Sequence, residues 1–110
     1  MNVAVPVTAE GEVDHSWGRA PRVAVAAVDN GQVVGWQEFP VGWDQLHDEG
    51  TEGGHHARVA RFLRDQQIAV VAAGHMGAPM VEMLERMGIS AVLGVTGDAR
   101  LAAVAAASTR

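Results

Sequence analysis

Five histidines are the residues of this 110-residue chain that are best suited to binding chemistry. Neutral imidazole is a good ligand for zinc, copper, nickel and iron. The chain contains no cysteine, which excludes disulfides and metal or cluster sites built only from thiolates. The histidines therefore predict a site for a metal cofactor or for a transition-metal ion. The candidate metal ligands are His15, His47, His55, His56 and His75.

The surroundings of these histidines differ. His75 stands in the Gly-His-Met-Gly sequence of residues 74–77, where the glycines allow the backbone to approach a bound group closely. His55 and His56 are neighbours in a predicted helix, about 100° apart around its axis, so at most one of them faces a given site. Two alternatives stay open: the histidines form only hydrogen bonds and caps, or they contact a different ligand.

The apolar patterns that must position these histidines predict a single α/β domain over residues 1–110. Continuous apolar runs indicate buried strands, and apolar residues at helical spacing indicate amphipathic helices. The Asn-Gly pair at residues 30–31 is a strong signal for a β-hairpin. The predicted strands are residues 3–7, 22–28, 32–39, 68–73 and 89–95, and the predicted helices begin near residues 55, 79 and 99.

Alternation of strands and helices in the second half of the chain predicts parallel βαβ units, and the hairpin makes one strand antiparallel. The expected product is a mixed five-stranded sheet flanked by helices. In this topology all five histidines fall beside the carboxyl ends of the parallel strands, where ligands bind in open α/β sheets. The connections at the opposite edge, residues 29–31, 66–67 and 88–90, contain none.

Composition argues against several classes of function. The net charge of −5 provides no broad basic surface for nucleic acid or an anionic membrane. No apolar run approaches the roughly 20 residues of a membrane span, and the N-terminus has no basic leader region, so we expect a cytoplasmic protein. Two-metal nuclease chemistry needs strand carboxylates, which residues 3–7 and 68–73 lack. The chain also has neither the Gly-x-Ser-x-Gly motif of serine hydrolases nor the Gly-Lys-[Ser/Thr] sequence of phosphate-binding loops. We therefore expect that the protein is not an enzyme.

Several segments, in order, resemble the dinitrogenase iron–molybdenum cofactor-binding domain family. Residues 1–7 look like its opening strand, and residues 13–21 resemble its first-loop motif, Ser-x-His-Phe-Gly-Arg-Ala. Residues 62–77 resemble its strand and Gly-Gly-x-Gly turn, and residues 87–89 and 94–98 complete the match. The resemblance implies an RNase H-like three-layer fold and binding of the iron–molybdenum cofactor or a precursor cluster. The cofactor-binding residues that it implies are Ser16, Trp17, Gly18, Arg19, Gly74, Met76 and Gly77.

The sequence departs from the family pattern at two points. Alignment on Gly18 and Arg19 places Ser16 at the usual histidine, with His15 one residue earlier. His75 stands where the Gly-Gly-x-Gly turn usually has glycine. These differences favour a specialised site, and a simple zinc, copper, nickel or iron ion remains the alternative ligand.

The resulting prediction is a non-catalytic carrier of a metal cofactor, either a monomer or a homodimer. Its expected partner is a cofactor-assembly or acceptor protein. The alternative function is a regulatory or protein-interaction module of the same fold that holds no metal.

Overall fold

A mixed five-stranded sheet forms the centre of the computed structural model, which describes residues 1–46 and 50–110. The strands are β1 (Asn2–Pro6), β2 (Val23–Asp29), β3 (Gln32–Phe39), β4 (Ile68–Ala72) and β5 (Ser90–Val92). Their order across the sheet is β3-β2-β1-β4-β5. Strand β2 runs opposite to the other four strands, and the pairs β1–β4 and β4–β5 are parallel. The predicted mixed sheet with one antiparallel strand is therefore confirmed. His47, which was predicted as a metal ligand, lies outside the described residues.

Helices cover both faces of the sheet. Those of the described residues are α1 (Trp43–Leu46), α2 (Glu52–Asp65), α3 (Ala78–Arg86) and α4 (Ala99–Ala107). Residues of α1, α2 and α3 pack into one core cluster, and residues of α4 pack into a second cluster on the other face. None of the helices described is both long and apolar enough to span a bilayer.

Strand β1 contributes to both cores because successive side chains of a strand point to opposite faces. Val3 and Val5 belong to the cluster that contains α4, whereas Ala4 belongs to the cluster that contains α2 and α3. All three are fully buried. A central strand buried on both faces explains the continuous apolar run at the start of the sequence.

The hairpin between β2 and β3 turns at the predicted Asn-Gly pair. Asn30 has φ 50° and Gly31 has φ 73°, so both residues occupy the left-handed region. Two central residues with positive φ define a type I′ turn, whose twist matches that of the paired strands.

The largest differences from the predicted elements are three, and most other strand boundaries differ by one residue. Helix α2 begins three residues earlier than predicted, because the side chain of Thr51 caps it by accepting a hydrogen bond from the Gly54 N–H at 3.0 Å. Strand β5 is shorter than predicted, since Gly94 adopts φ 74° and turns the chain away. Helix α1 lies inside a segment predicted to be a loop, and it carries the buried side chain of Trp43.

The packing of α4 leads to a first prediction. Ala103 is fully buried where α4 meets the sheet, whereas Ala105 on the same helix is exposed. We expect Ala103→Leu to lower the free energy of unfolding by about 1–3 kcal/mol, because added methylene groups force a filled core to shift. Ala105→Leu should change the free energy of unfolding by less than about 0.5 kcal/mol. Chemical denaturation of both variants checks this, and equal effects would contradict the assigned face of α4.

Candidate cofactor-binding cleft

The loops that follow β1 and β4 lie side by side. Because these two strands are parallel neighbours, both loops leave the same edge of the sheet. Ser16 and His75 form a parallel bridge, and the N–H of His75 donates to the carbonyl oxygen of His15 at 2.7 Å. The loop that follows β1, called the first loop below, is therefore in direct contact with the residue 74–77 loop.

Gly74 makes this close approach possible. A Cβ atom at this position would lie 2.8 Å from the carbonyl oxygen of His15 and 3.0 Å from its Cα. On its other side, the Gly74 carbonyl accepts a hydrogen bond from the N–H of Gly94 at 3.0 Å. Only glycine fits between the two loops without displacing backbone.

The imidazoles of His15 and His75 meet at this contact. Their ring centroids are 5.9 Å apart and their planes differ by 10°. Both side chains are exposed to solvent. Metal–nitrogen bonds of about 2.0–2.1 Å place two imidazoles on one ion with ring centres roughly 5–6.5 Å apart. The distance between the two ring centroids therefore lies within this range, so both imidazoles are close enough to contact one bound group.

Hydrogen bonds of the residues next to His15 in the sequence hold the first loop in place. The carboxylate of Asp14 accepts a hydrogen bond from the N–H of Ser16 at 3.2 Å, which forms a local turn. The N–H of Asp14 donates to Pro6 O at 2.8 Å, and the N–H of Val13 donates to Gly97 O at 2.8 Å. These bonds tie the loop to the end of β1 and to the turn before α4.

A cleft of about 270 Å³ opens between the two loops. It is lined by Ser16, Trp17, Gly18, Arg19, His75, Met76 and Gly77. The structure thus brings together the predicted cofactor-binding residues, except that Gly74 lies at the loop contact rather than in the cleft wall. Gly77 also precedes α3 without a side-chain cap, so N–H groups of its first turn are available beside the cleft.

Trp17 anchors the first loop in the core. Its side chain is 1% exposed and meets Trp43 edge to face, with ring centroids 5.1 Å apart. Its indole nitrogen Nε1 has no hydrogen-bond partner among the described residues. A buried N–H without an acceptor is unfavourable by about 1–3 kcal/mol. The first loop, which borders the cleft, therefore contains an unsatisfied hydrogen-bond donor in the indole N–H of Trp17.

His55 and His56 lie beside a second, smaller cleft of about 140 Å³ that adjoins the first. The two clefts share Gly18, Met76 and Gly77. His56 is half-buried, whereas His55 is buried and has both ring nitrogens within hydrogen-bond distance of protein groups. In this arrangement His55 has no ring nitrogen left for a metal.

Within residues 1–46 and 50–110, no three or more histidine, cysteine, aspartate or glutamate side chains are grouped to hold a metal ion. The structure therefore gathers one pair of imidazoles, those of His15 and His75, rather than a full coordination shell. A cavity of about 310 Å³ lies at the opposite edge of the sheet beside Asn30 and Gly31. None of the four described histidines lines it, so the 270 Å³ cleft fits the predicted chemistry better.

Arg58 was not among the predicted site residues, yet its guanidinium lies 2.9 Å from Nδ1 of His55. Its position three residues after His55 was a usable signal, because side chains at that spacing share one face of a helix. Trp43 was also missed as a packing partner of His55, since it lies in a segment predicted to be irregular.

The protein is a small α/β domain with a candidate binding cleft at the carboxyl ends of its parallel strands. The family model described as dinitrogenase iron–molybdenum cofactor matches residues 1–109. This chain therefore belongs to the dinitrogenase iron–molybdenum cofactor family, which confirms the resemblance seen in its motifs. No curated protein matches it.

Two solved structures share the fold. The crystal structure of PH0822 has a TM-score of 0.71 and 23% sequence identity, covering 93% of this chain and 84% of that chain. The apo form of the orange protein from Desulfovibrio gigas has a TM-score of 0.73 and 21% identity, covering 90% of this chain and 80% of that chain. At such low identity these similarities establish the α/β fold alone.

The contact at Gly74 gives a second prediction. We expect Gly74→Ala to lower the free energy of unfolding by about 1–3 kcal/mol, because its Cβ would displace the His15 backbone. Gly77→Ala is the matched control, since a Cβ there lies 3.9 Å from its nearest neighbour and φ is −67°. Its effect should stay below about 1 kcal/mol. Thermal and chemical denaturation measure both variants, and a Gly74→Ala protein as stable as its parent would refute the close contact.

Proposed function

We propose that this chain binds the iron–molybdenum cofactor, or a precursor cluster, in the cleft between its two loops and carries it without catalysing a reaction. The observation that carries this proposal is the pairing of the exposed imidazoles of His15 and His75, of which His75 lines the cleft together with Gly18 and Gly77. Membership of the iron–molybdenum cofactor family supports the identity of the cargo.

The residues of the cleft and the adjacent His15 suit such a cargo. His15 and His75 supply neutral imidazole ligands for an exposed metal atom. Gly18 and Gly77 allow close backbone approach, and Arg19 adds a cation that suits anionic groups. Ser16, Trp17 and Met76 complete the wall of the cleft, and Gly74 holds the loops at the required separation.

The donor set favours a preassembled cluster over a single metal ion. A structural zinc ion takes four protein ligands and a catalytic one takes three. The described residues bring only two imidazoles together, and no larger ligand group is present among them. A cluster carries its own inorganic ligands, so two protein ligands and a fitted cleft are enough to hold it.

A carrier role agrees with the chemistry of the walls. No carboxylate lines either of the two adjoining clefts, so the described site does not support two-metal phosphodiester hydrolysis. We also propose an RNase H-like assignment for the fold, supported by the order β3-β2-β1-β4-β5 with β2 antiparallel. The open cleft permits transfer of the cargo to an assembly or acceptor protein, which is the partner we propose.

Binding measurements test the ligand assignment. Anaerobic titration with isolated iron–molybdenum cofactor, followed by gel filtration and elemental analysis, should show molybdenum and iron eluting with the native chain. His15→Ala combined with His75→Ala should weaken this binding at least about tenfold, since loss of even an outer-shell partner has effects of that size. Parallel titrations with zinc, copper, nickel and ferrous iron test the simple-ion alternative.

Arg86→Ala provides a control for changes that do not touch the cleft, because Arg86 is exposed at the far end of α3. Its affinity for the cofactor should equal that of the native chain. Unchanged cofactor binding by the double histidine variant would refute the two ligands. Failure of the native chain to bind cofactor or any of the four ions would refute the carrier role and favour an interaction module.

A further inference from the structure

His55 is the one polar side chain among the described residues that is buried in the core, with 2% of its surface exposed. It lies in the first turn of α2, and its ring meets the indole of Trp43 edge to face at a centroid distance of 6.3 Å. A buried imidazole is unfavourable unless its ring nitrogens are hydrogen-bonded. The partners of those nitrogens therefore indicate why histidine occupies this position.

The partners fix the tautomer of the ring. Nε2 lies 2.8 Å from the carbonyl oxygen of Gly18, and Nδ1 lies 2.9 Å from Nη1 of Arg58. A carbonyl oxygen only accepts a hydrogen bond and a guanidinium only donates one. Nε2 therefore carries the hydrogen and donates to Gly18, while Nδ1 accepts from Arg58. No other side chain offers a donor and an acceptor on the two sides of one rigid ring.

These bonds connect α2 to the wall of the cleft. Gly18 lines both adjoining clefts, so the bond from His55 holds a backbone carbonyl of the cargo site in place. Arg58 also donates to the carbonyl oxygen of Leu46, at 3.4 Å. The end of α1 is therefore connected to His55 through Arg58. A Cβ at Gly18 would lie 3.9 Å from Nε2 of His55 and 3.9 Å from Cε of Met80, so His55 is also one of the nearest side chains to this residue.

We propose that His55 is a positioning residue for the cargo, which sets the conformation of Gly18 and Arg19 in the cleft without ligating metal itself. The proposal rests on the function proposed above. It assigns unequal roles to three of the histidines: His15 and His75 contact the cargo, and His55 holds the loop that surrounds it.

The test compares His55→Leu with His55→Gln. Glutamine keeps an N–H donor for the Gly18 carbonyl, whereas leucine removes both polar contacts and keeps an apolar side chain in the core. In ¹H–¹⁵N spectra, His55→Leu should shift the backbone amide signals of Gly18 and Arg19 and speed their hydrogen exchange, and His55→Gln should shift them less. Titration with isolated iron–molybdenum cofactor should show affinity at least about tenfold weaker for His55→Leu, and within about threefold of native for His55→Gln.

Ala103→Leu separates positioning from general loss of stability, because Ala103 belongs to the core on the opposite face of the sheet. It should lower the free energy of unfolding without shifting the Gly18 and Arg19 signals or changing cofactor affinity. If His55→Leu does not fold, Arg58→Met provides the second route, since it leaves Nδ1 of His55 without its donor and should shift the same signals.

Unshifted Gly18 and Arg19 signals in both His55→Leu and Arg58→Met would overturn the proposal. So would shifts of equal size in Ala103→Leu, since the loop would then respond to any destabilisation. A native chain that binds no cofactor overturns the proposed function instead, and the amide signals still decide whether His55 positions the loop.

Discussion

The contact between Gly74 and the backbone of His15 is the constraint on which the candidate site depends. It lets the loop after β1 run against the loop after β4, where the N–H of His75 bonds to His15 at 2.7 Å. Two parallel neighbouring strands deliver the loops to the same edge, but only a residue without a side chain lets them touch. The imidazole pair and the cleft both follow from that contact.

Identical side chains serve different purposes according to where the fold places them. His15 and His75 are exposed on loops, so their nitrogens are accessible to a cargo. His55 lies in the core, where an unsatisfied ring nitrogen is unfavourable, and its nitrogens are within bonding distance of Gly18 and Arg58. The same imidazole chemistry is therefore suited to binding in one place and to holding the loop in the other.

The limited donor set explains how a site without cysteine can suit a metal cluster. Thiolates usually hold such clusters, and this chain has none. The cleft is lined by His75 and Arg19, and His15 and the first turn of α3 lie beside it, so the contacts available to a bound group are individually weaker than thiolate bonds and are distributed over several residues. Weak, distributed contacts suit a carrier, which has to release its cargo as well as bind it.

The sequence by itself determined the sheet, the hairpin and the placement of the four described histidines towards one edge, because these depend on local signals. Apolar runs, helical spacing and the Asn-Gly pair each act over a few residues, and β1, β4 and α4 follow them closely. Its family motifs likewise pointed to the residues that line the cleft. Element ends were less predictable where a cap such as Thr51 or a left-handed Gly94 decided them.

Only the tertiary structure decided which histidines meet and which are buried. His15 and His75 are 60 positions apart in the numbering, and their stacking depends on strand order and on the space at Gly74. His55 and His56 are adjacent in sequence, yet one packs against Trp43 in the core and the other lines a cleft. Side-chain roles of this kind arise from contacts between distant segments, which no local pattern of residue types records.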